Sequence, residues 1–424
     1  MRQYEDGRAF AQKKDSEDKL AKFQERFYKL ENTIYMDGNS LGLCSKDAEA
    51  CLMEALDVWK KAGIDIWGKY DYFLYQDKLG AMCAPLVNAD PDEVTICMST
   101  TMNVHQAIAT FYHPTPERNK IIMDDLNFPT DRYAVYSNIR VHGYDPDECL
   151  KVVKSRDGEY IYEDDVIEAM TDDVCLVLLP SALYRSAQLI DMKKIADAAH
   201  ERGIYVGFDL CHSIGAVPHD FKEIQPDFAL WCTYKYLNGG PGAIAGLYIN
   251  RKHFGMEPGL AGWHGNKKDT QFNLEQYFDH AEYAGGWQTG TQPILSMAPL
   301  EGSLKMIKEA GLENLREKSL DITEYLMYLI DTRLAKYGFS VGNYREDNKR
   351  TGHVALVHED AIRINAAMKD RGVIPDFRFP DVIRLAPVPL YTSYTEVYDM
   401  VDIVVDIMEK KEYENFENKR GTVA

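Results

Sequence analysis

DFALWCTYKYLNGGPGAIAGLYI, residues 227–249, is two apolar runs split by a polar, glycine-rich turn. FALWC (228–232) and AIAGLYI (243–249) are short and continuous. Runs of that kind suit strands buried on both faces, as in a mainly parallel sheet. Between them stand Tyr234, Lys235 and Tyr236, followed by the flexible run NGGPG. A residue just past the C-terminal end of a buried strand lies where open α/β sheets place ligands. An amine held there among apolar and aromatic groups is desolvated, which lowers its pKa and favours Schiff-base chemistry. Taken alone, the motif equally fits a lysine in a surface loop.

The same texture extends outward from this stretch. VTICM (94–98), KIIMD (120–124), VCLVLL (174–179) and IYVGFD (204–209) read as further buried strands. DMKKIADAAHERG (191–203) reads as a crossover helix ending at Gly203. Strand, loop and helix in repetition define an α/β domain. Upstream, Leu20, Phe23 and Phe27 share one helical face and predict a helix over 16–29. Downstream of about residue 295 the pattern changes to long amphipathic helices over 297–336. A last helix starts near Ser393, which forms a capping box with Glu396 and carries Val397, Val401, Val404 and Met408 on its apolar face. The expected organisation is an N-terminal segment (1–40) packing with the small domain, a large domain (41–295) and a smaller α+β C-terminal domain (296–424).

The chain has 424 residues, 45% of them hydrophobic, and a formal net charge of −19. That charge is scattered over a solvated surface and repels nucleic acid and anionic membranes, so neither is an expected partner. No stretch approaches the ~20 apolar residues of a membrane span. The polar N-terminus has no signal core, so a cytoplasmic protein is expected. None of the eight cysteines forms a C-x-x-C pair, so no zinc knuckle and no metal site is expected. P-loop and dinucleotide fingerprints are also absent from the sequence.

Other strand ends carry chemistry-bearing residues. Asp209 closes one apolar run, with His212 three residues on. A carboxylate there keeps a pyridinium nitrogen protonated, or simply caps the next helix. Ser99, Thr100 and Thr101 stand between a strand and a helix, as a phosphate site or as plain capping. Phe128 and Asp131 follow another strand, and Phe128 either stacks on a flat ring or packs. Arg384 sits amid apolar residues and needs a carboxylate, from a substrate or from within the chain. Phosphate cradle, ring stacker, pyridinium acid and Schiff-base lysine come in the order used by pyridoxal-phosphate (PLP) enzymes of the aspartate-aminotransferase fold.

At these residues the chain resembles the kynureninases. The matching segments are YMDGNSLGL (35–43), STTMNVH (99–105), NFPTDRYAV (127–135), GFDLCHSIGAVPHD (207–220), 227–249, LAGWHG (260–265), GTQP (290–293) and IRLAPVPLYTS (383–393). The resemblance covers nearly the whole chain. It implies the PLP-dependent transferase-like fold (fold type I) with a large, mainly parallel seven-stranded sheet. It also implies a homodimer with active sites shared between subunits. Lys235 would carry the cofactor, Asp209 would pair with its ring nitrogen, His212 and Asp131 would lie close to the ring, and Phe128 would stack on it. Thr100, Thr101 and Tyr234 would bind the phosphate, with Trp263 and Thr291 completing that pocket from the other subunit. Arg384 would hold the substrate α-carboxylate, with Asn39 and Ser40 nearby. Tyr234 would donate or relay a proton. The implied reaction is hydrolysis of kynurenine or 3-hydroxykynurenine to L-alanine and the anthranilate, a step of tryptophan catabolism.

The chain departs from the family pattern around the expected aryl pocket. The family reads Gly-Trp-(Phe or Trp)-Gly-His where this chain has Gly262-Trp263-His264-Gly265-Asn266. WKKAGIDIWGKYDYF (59–73) has no histidine and offers Trp67, Tyr70, Tyr72 and Phe73 instead. These differences are expected to face the aryl group, with His264 as a substrate contact. They leave open a related enzyme acting on another β-acyl alanine. An aminotransferase and an inactive PLP-fold binding protein are the remaining alternatives. A cysteine-desulfurase chemistry needs a nucleophilic cysteine in the C-terminal part, and the last cysteine is Cys232.

Overall fold

A computed structural model describes residues 2–419. Met1 and residues 420–424, which fall within the expected domain bounds, lie outside the described residues.

Seven strands form the large sheet. In spatial order they are Val94–Ile96, Gly246–Ile249, Phe228–Trp231, Tyr205–Asp209, Val174–Pro180, Lys120–Asp124 and Leu150–Val153. Neighbours pair in parallel except at Gly246–Ile249, which runs antiparallel to both its neighbours. Val174–Pro180 is buried along its whole length, as its unbroken apolar run requires. The edge strand Leu150–Val153 is not among the runs singled out from sequence. It is half-buried, and its run is too short to stand out. The crossover helix Met192–Glu201 is capped by Asp191 and followed by Gly203 at φ 62°.

A second, four-stranded antiparallel sheet has the order Asp376–Arg378, Val382–Leu385, Val354–Val357, Ser340–Val341. Its apolar cluster contains Ile322, Tyr325, Leu356, Ile383 and the inner face of the last helix, Tyr394–Glu409. That helix begins with the Ser393–Glu396 capping box.

Three expectations shift. The helix over 16–29 is instead a helix at Arg8–Ser16 and a 3-10 turn at Ala21–Arg26. The Asp18 carboxylate accepts from the Leu20 N–H and turns the chain between them, while Leu20, Phe23 and Phe27 are still buried. The long helical stretch breaks at Gly311, whose φ of 81° favours glycine, giving Ile294–Ala310 and Leu312–Leu329. Of these, Ile294–Ala310 was placed in the small domain by sequence. It buries Met297, Leu300, Leu304 and Ile307 in the cluster of the large sheet and packs on helix Lys46–Ala62. The change of helix length marks a change of texture there, not a change of core. The N-terminal segment also divides. Ala11 and Met36 join the small cluster, whereas Leu20, Phe23 and Phe27 join the large one.

Candidate active site

The loop after strand Phe228–Trp231 holds Lys235 at the C-terminal edge of the sheet. The chain segment DGNSLGL is pressed against it. The Gly42 N–H donates to the Tyr234 carbonyl at 2.8 Å. A Cβ on Gly42 would stand 2.5 Å from the Lys235 carbonyl oxygen, so only glycine allows this approach. A Cβ on Gly38 would likewise meet the Tyr391 hydroxyl at 2.1 Å.

Here a cavity of about 250 Å³ is lined by Asn39, Ser40, Thr100, Thr101, Phe128, Asp209, His212, Tyr234, Lys235 and Arg384. The sequence singles out all ten, and they come from six separate stretches of the chain. Lys235 Nζ stands 2.9 Å from His212 Nε2. Burial first, then the Lys235 and Arg384 charges, pushes His212 well below the usual histidine range. The neutral ring therefore accepts from the amine at Nε2 and carries its proton on Nδ1, which has no partner.

Asp209 forms the floor. Its Oδ1 accepts from the Cys211 N–H at 2.7 Å. Fully buried Asp131 lies beside it, and neither of its oxygens has a hydrogen-bond partner. Burial raises both carboxyl groups, Asp131 well above the ordinary range, with Asp209 as its second cause. Two buried carboxylates side by side call for a proton or a cationic N–H. At the opposite wall, Thr100 and Thr101 open the twelve-residue helix Thr100–Phe111, whose N-cap is Ser99. Thr101 Oγ1 and Thr130 Oγ1 are 2.9 Å apart. Free N–H groups, hydroxyls and the helix dipole there favour a phosphate. The half-exposed Phe128 ring meets Tyr184 edge-on at 5.8 Å.

These donors fit PLP on observations independent of any relative. The orphaned Asp131 carboxyl beside Asp209 suits a ring N–H, a helix N-terminus suits a phosphate, and the Lys235 amine lines the same cavity. PLP would be held by Lys235, Asp209, Phe128, Thr100 and Thr101.

Arg384 is fully buried and meets an internal carboxylate, Asp376, the within-chain option its sequence context left open. It also donates to the Tyr184 carbonyl and to Ser40 Oγ, both at 2.9 Å. Sequence reasoning missed Tyr184, Arg378, Thr130 and Cys211, which also line the cavity. Tyr184 follows strand Val174–Pro180 as the other site residues follow theirs, and that position was the available signal.

Three expected residues stand elsewhere. Trp263 is 41% exposed and packs edge-on against Phe73 and Phe272, outside the cavity. Thr291 is exposed. His264 does not line the cavity of its own chain. It is buried, with Nδ1 2.9 Å from Gln76 Nε2, and burial lowers it to about 4. Its ring lies 5.0 Å from Phe73.

Solved structures with this fold include a PLP enzyme. The C–S lyase C-DES, with glycine covalently linked to its PLP cofactor, has a TM-score of 0.79 at 16% identity, covering 90% of this chain and 98% of that one. The apo cysteine desulfurase from Thermococcus onnurineus NA1 has a TM-score of 0.77 at 15% identity, covering 92% and 98%. The fold is therefore that of the type I PLP-dependent enzymes, with the strand-end cavity in the place such a fold reserves for its ligand.

Sequence relatives narrow the class. The kynureninase of Geobacillus thermodenitrificans (strain NG80-2) is 55% identical over 98% of this chain and 97% of its own length. That of Bacillus thuringiensis subsp. konkukian (strain 97-27) is 57% identical over 97% and 96%. The family described as "Kynureninase C-terminal domain" matches residues 315–404. The chain belongs to the kynureninase family.

Proposed function

We propose that this protein is a kynureninase, a PLP-dependent hydrolase that cleaves the Cβ–Cγ bond of L-kynurenine or 3-hydroxy-L-kynurenine. Water is consumed, and the products are L-alanine and anthranilate or 3-hydroxyanthranilate. The observation that carries the reading is the convergence of Lys235, His212, Asp209 and the Thr100–Thr101 helix start on one cavity, in a chain of this family.

Bound PLP supplies an electron sink next to the substrate carbon that loses its proton. The chain's own groups do the rest. Lys235 Nζ would anchor the cofactor and, as a free amine, would take the Cα proton of the substrate. Neutral His212, 2.9 Å away, receives a hydrogen bond from that amine and fixes its direction. Asp209 would hold the ring nitrogen in its protonated form, with the buried carboxyl of Asp131 beside it. The Tyr234 phenol is raised by burial and by the thiols of Cys232 and Cys211, so it stays protonated and serves as a proton donor at Cβ. Arg384, steadied by Ser40, holds the substrate α-carboxylate, with Asn39 beside it.

The same reading makes the protein a homodimer in which Trp263 and Thr291 of each subunit complete the neighbour's phosphate site. Both lie outside their own chain's cavity, and Trp263 sits beside the exposed Phe272, Leu274 and Tyr277, an apolar patch of the kind that marks an interface. Among the described residues, no helix is long and apolar enough to cross a membrane.

PLP-loaded protein with L-kynurenine and, in parallel, 3-hydroxy-L-kynurenine tests the activity. Alanine and the matching anthranilate are expected in equal amounts. No product from either substrate would overturn the assignment.

A further inference from the structure

The hairpin behind the cavity carries three charges on one face. Strand Asp376–Arg378 pairs antiparallel with Val382–Leu385, and Asp376 stands opposite Arg384. Asp376 and Arg378 are two residues apart, so both side chains leave the same face of the strand. All the contacts converge on one oxygen. Asp376 Oδ2 accepts from Arg378 Nε at 3.1 Å, from Arg378 Nη2 at 2.9 Å, from Ser40 Oγ at 3.1 Å and from Arg384 Nη2. Asp376 Oδ1 and Arg384 Nε, both buried, have no partner. The Asp376 and Arg384 side chains are 0% and 1% exposed, while that of Arg378 is 25% exposed at the cavity wall.

A carboxylate held inside the chain competes with an incoming one for the same guanidinium. If Asp376 had only Arg384 as counter-ion, a substrate carboxylate could engage Arg384 only by leaving Asp376 buried and unpaired. Stranding a buried charge in that way costs several kcal/mol. Arg378 removes that conflict, because its Nε and Nη2 already both rest on Asp376 Oδ2 and keep a counter-ion there. Half-buried Asp37, whose charge acts on both arginines, does not replace it. Burial raises the Asp37 carboxyl, so it is a weaker partner for either guanidinium.

We propose that Arg378 is a positioning residue that takes over Asp376 when substrate binds, freeing Arg384 for the α-carboxylate. The proposal rests on the reading of Arg384 given above. Arg378 acts through Asp376 and need not touch the substrate. It therefore predicts a rescue that a direct substrate contact, or a merely structural role, does not.

The test compares wild type, Arg378→Met, Arg378→Lys and the double variant Arg378→Met with Asp376→Asn, all PLP-loaded. Arg378→Met should raise KM for L-kynurenine about tenfold or more, with a smaller loss in kcat, as expected when a buried charge pair loses one member. Arg378→Lys keeps the charge without the fork and should fall between. The double variant, with no carboxylate left to compete, should return KM to within about threefold of wild type. Spectral titration with L-alanine, which has the α-carboxylate and no aryl ketone, should give the same ranking of affinities without turnover. It keeps the inference testable if wild type fails to cleave kynurenine, since that failure would count against the reaction alone. An unchanged KM and L-alanine affinity in Arg378→Met, or a double variant weaker than the single, would overturn the proposal.

Discussion

The floor of the Lys235 cavity and the segment around Trp263 are built to different plans. The floor is complete within one chain. Asp209, His212 and Lys235 hang from neighbouring parallel strands, and their contacts are settled by the register of Tyr205–Asp209 against Phe228–Trp231. The Trp263 segment has little regular structure, and it leaves Trp263, Phe272, Leu274 and Tyr277 exposed. A sheet end fixes a constellation by backbone geometry alone, whereas a loop-built wall needs a second surface to fix it. The sheet end thus holds Asp209, His212 and Lys235 together within one chain, whereas the Trp263 segment presents an exposed apolar surface.

Lys235→Ala is the severest way to break that contrast. It should cut turnover by ~10³-fold or more and abolish the visible absorbance of the PLP-loaded protein, while leaving the oligomeric state unchanged. Detectable turnover at wild-type rates would remove Lys235 from the chemistry. Trp263→Ala should also be impaired, by roughly 10–100-fold, through lost phosphate binding. Mixing these two impaired variants gives a sharper result. In a shared-site dimer, half of the randomly mixed dimers hold one intact site of two, so about a quarter of wild-type activity should return. No recovery on mixing would place Trp263 in its own chain's site or outside any site.

Phe272→Ser with Tyr277→Ser should weaken self-association by about 2 kcal/mol or more, read by analytical ultracentrifugation over a dilution series. An unaltered dissociation curve would put the interface elsewhere. The smallest change is expected from His264→Phe. It leaves Gln76 short of a partner, a loss of about 1–2 kcal/mol in a denaturant melt. The ratio of kcat/KM for kynurenine and 3-hydroxykynurenine should stay within about threefold of wild type. A larger swing would mean that His264 reads the aryl ring despite its burial.

Much of the site is legible in the chain itself because each group follows an apolar run that must be a buried strand. Lys235 after FALWC and Asp209 closing IYVGFD need no tertiary knowledge to be placed at one edge of a sheet. Arg378 and Asp376 are different. Their meaning depends on antiparallel register with Arg384, which no local pattern announces. The helix Ile294–Ala310 was assigned to the wrong core because amphipathicity tells that a face is buried and not against what. The motif of His264 suggests a substrate contact, while its partners within the chain, Gln76 and Gln288, lie far away in sequence. Fold neighbours add a caution of the same kind. Cysteine desulfurases share this architecture, yet the chain has no cysteine after Cys232, so topology alone would have suggested the wrong chemistry.

The contact of Gly42 with the Lys235 loop sets an order of events in folding. That glycine belongs to a segment whose Asp37 bridges to Ala386 and whose Ile34–Tyr35 pairs with Val373–Ile374. The loop over the lysine is thus clamped by a strap whose own anchors come from near the end of the chain. On a ribosome, the sheet carrying Lys235 is made long before those anchors emerge. The cavity closes only when contacts of very large sequence separation form, and such contacts are slow. Truncation from the C-terminus should therefore unfasten the active site before it unfolds the sheet.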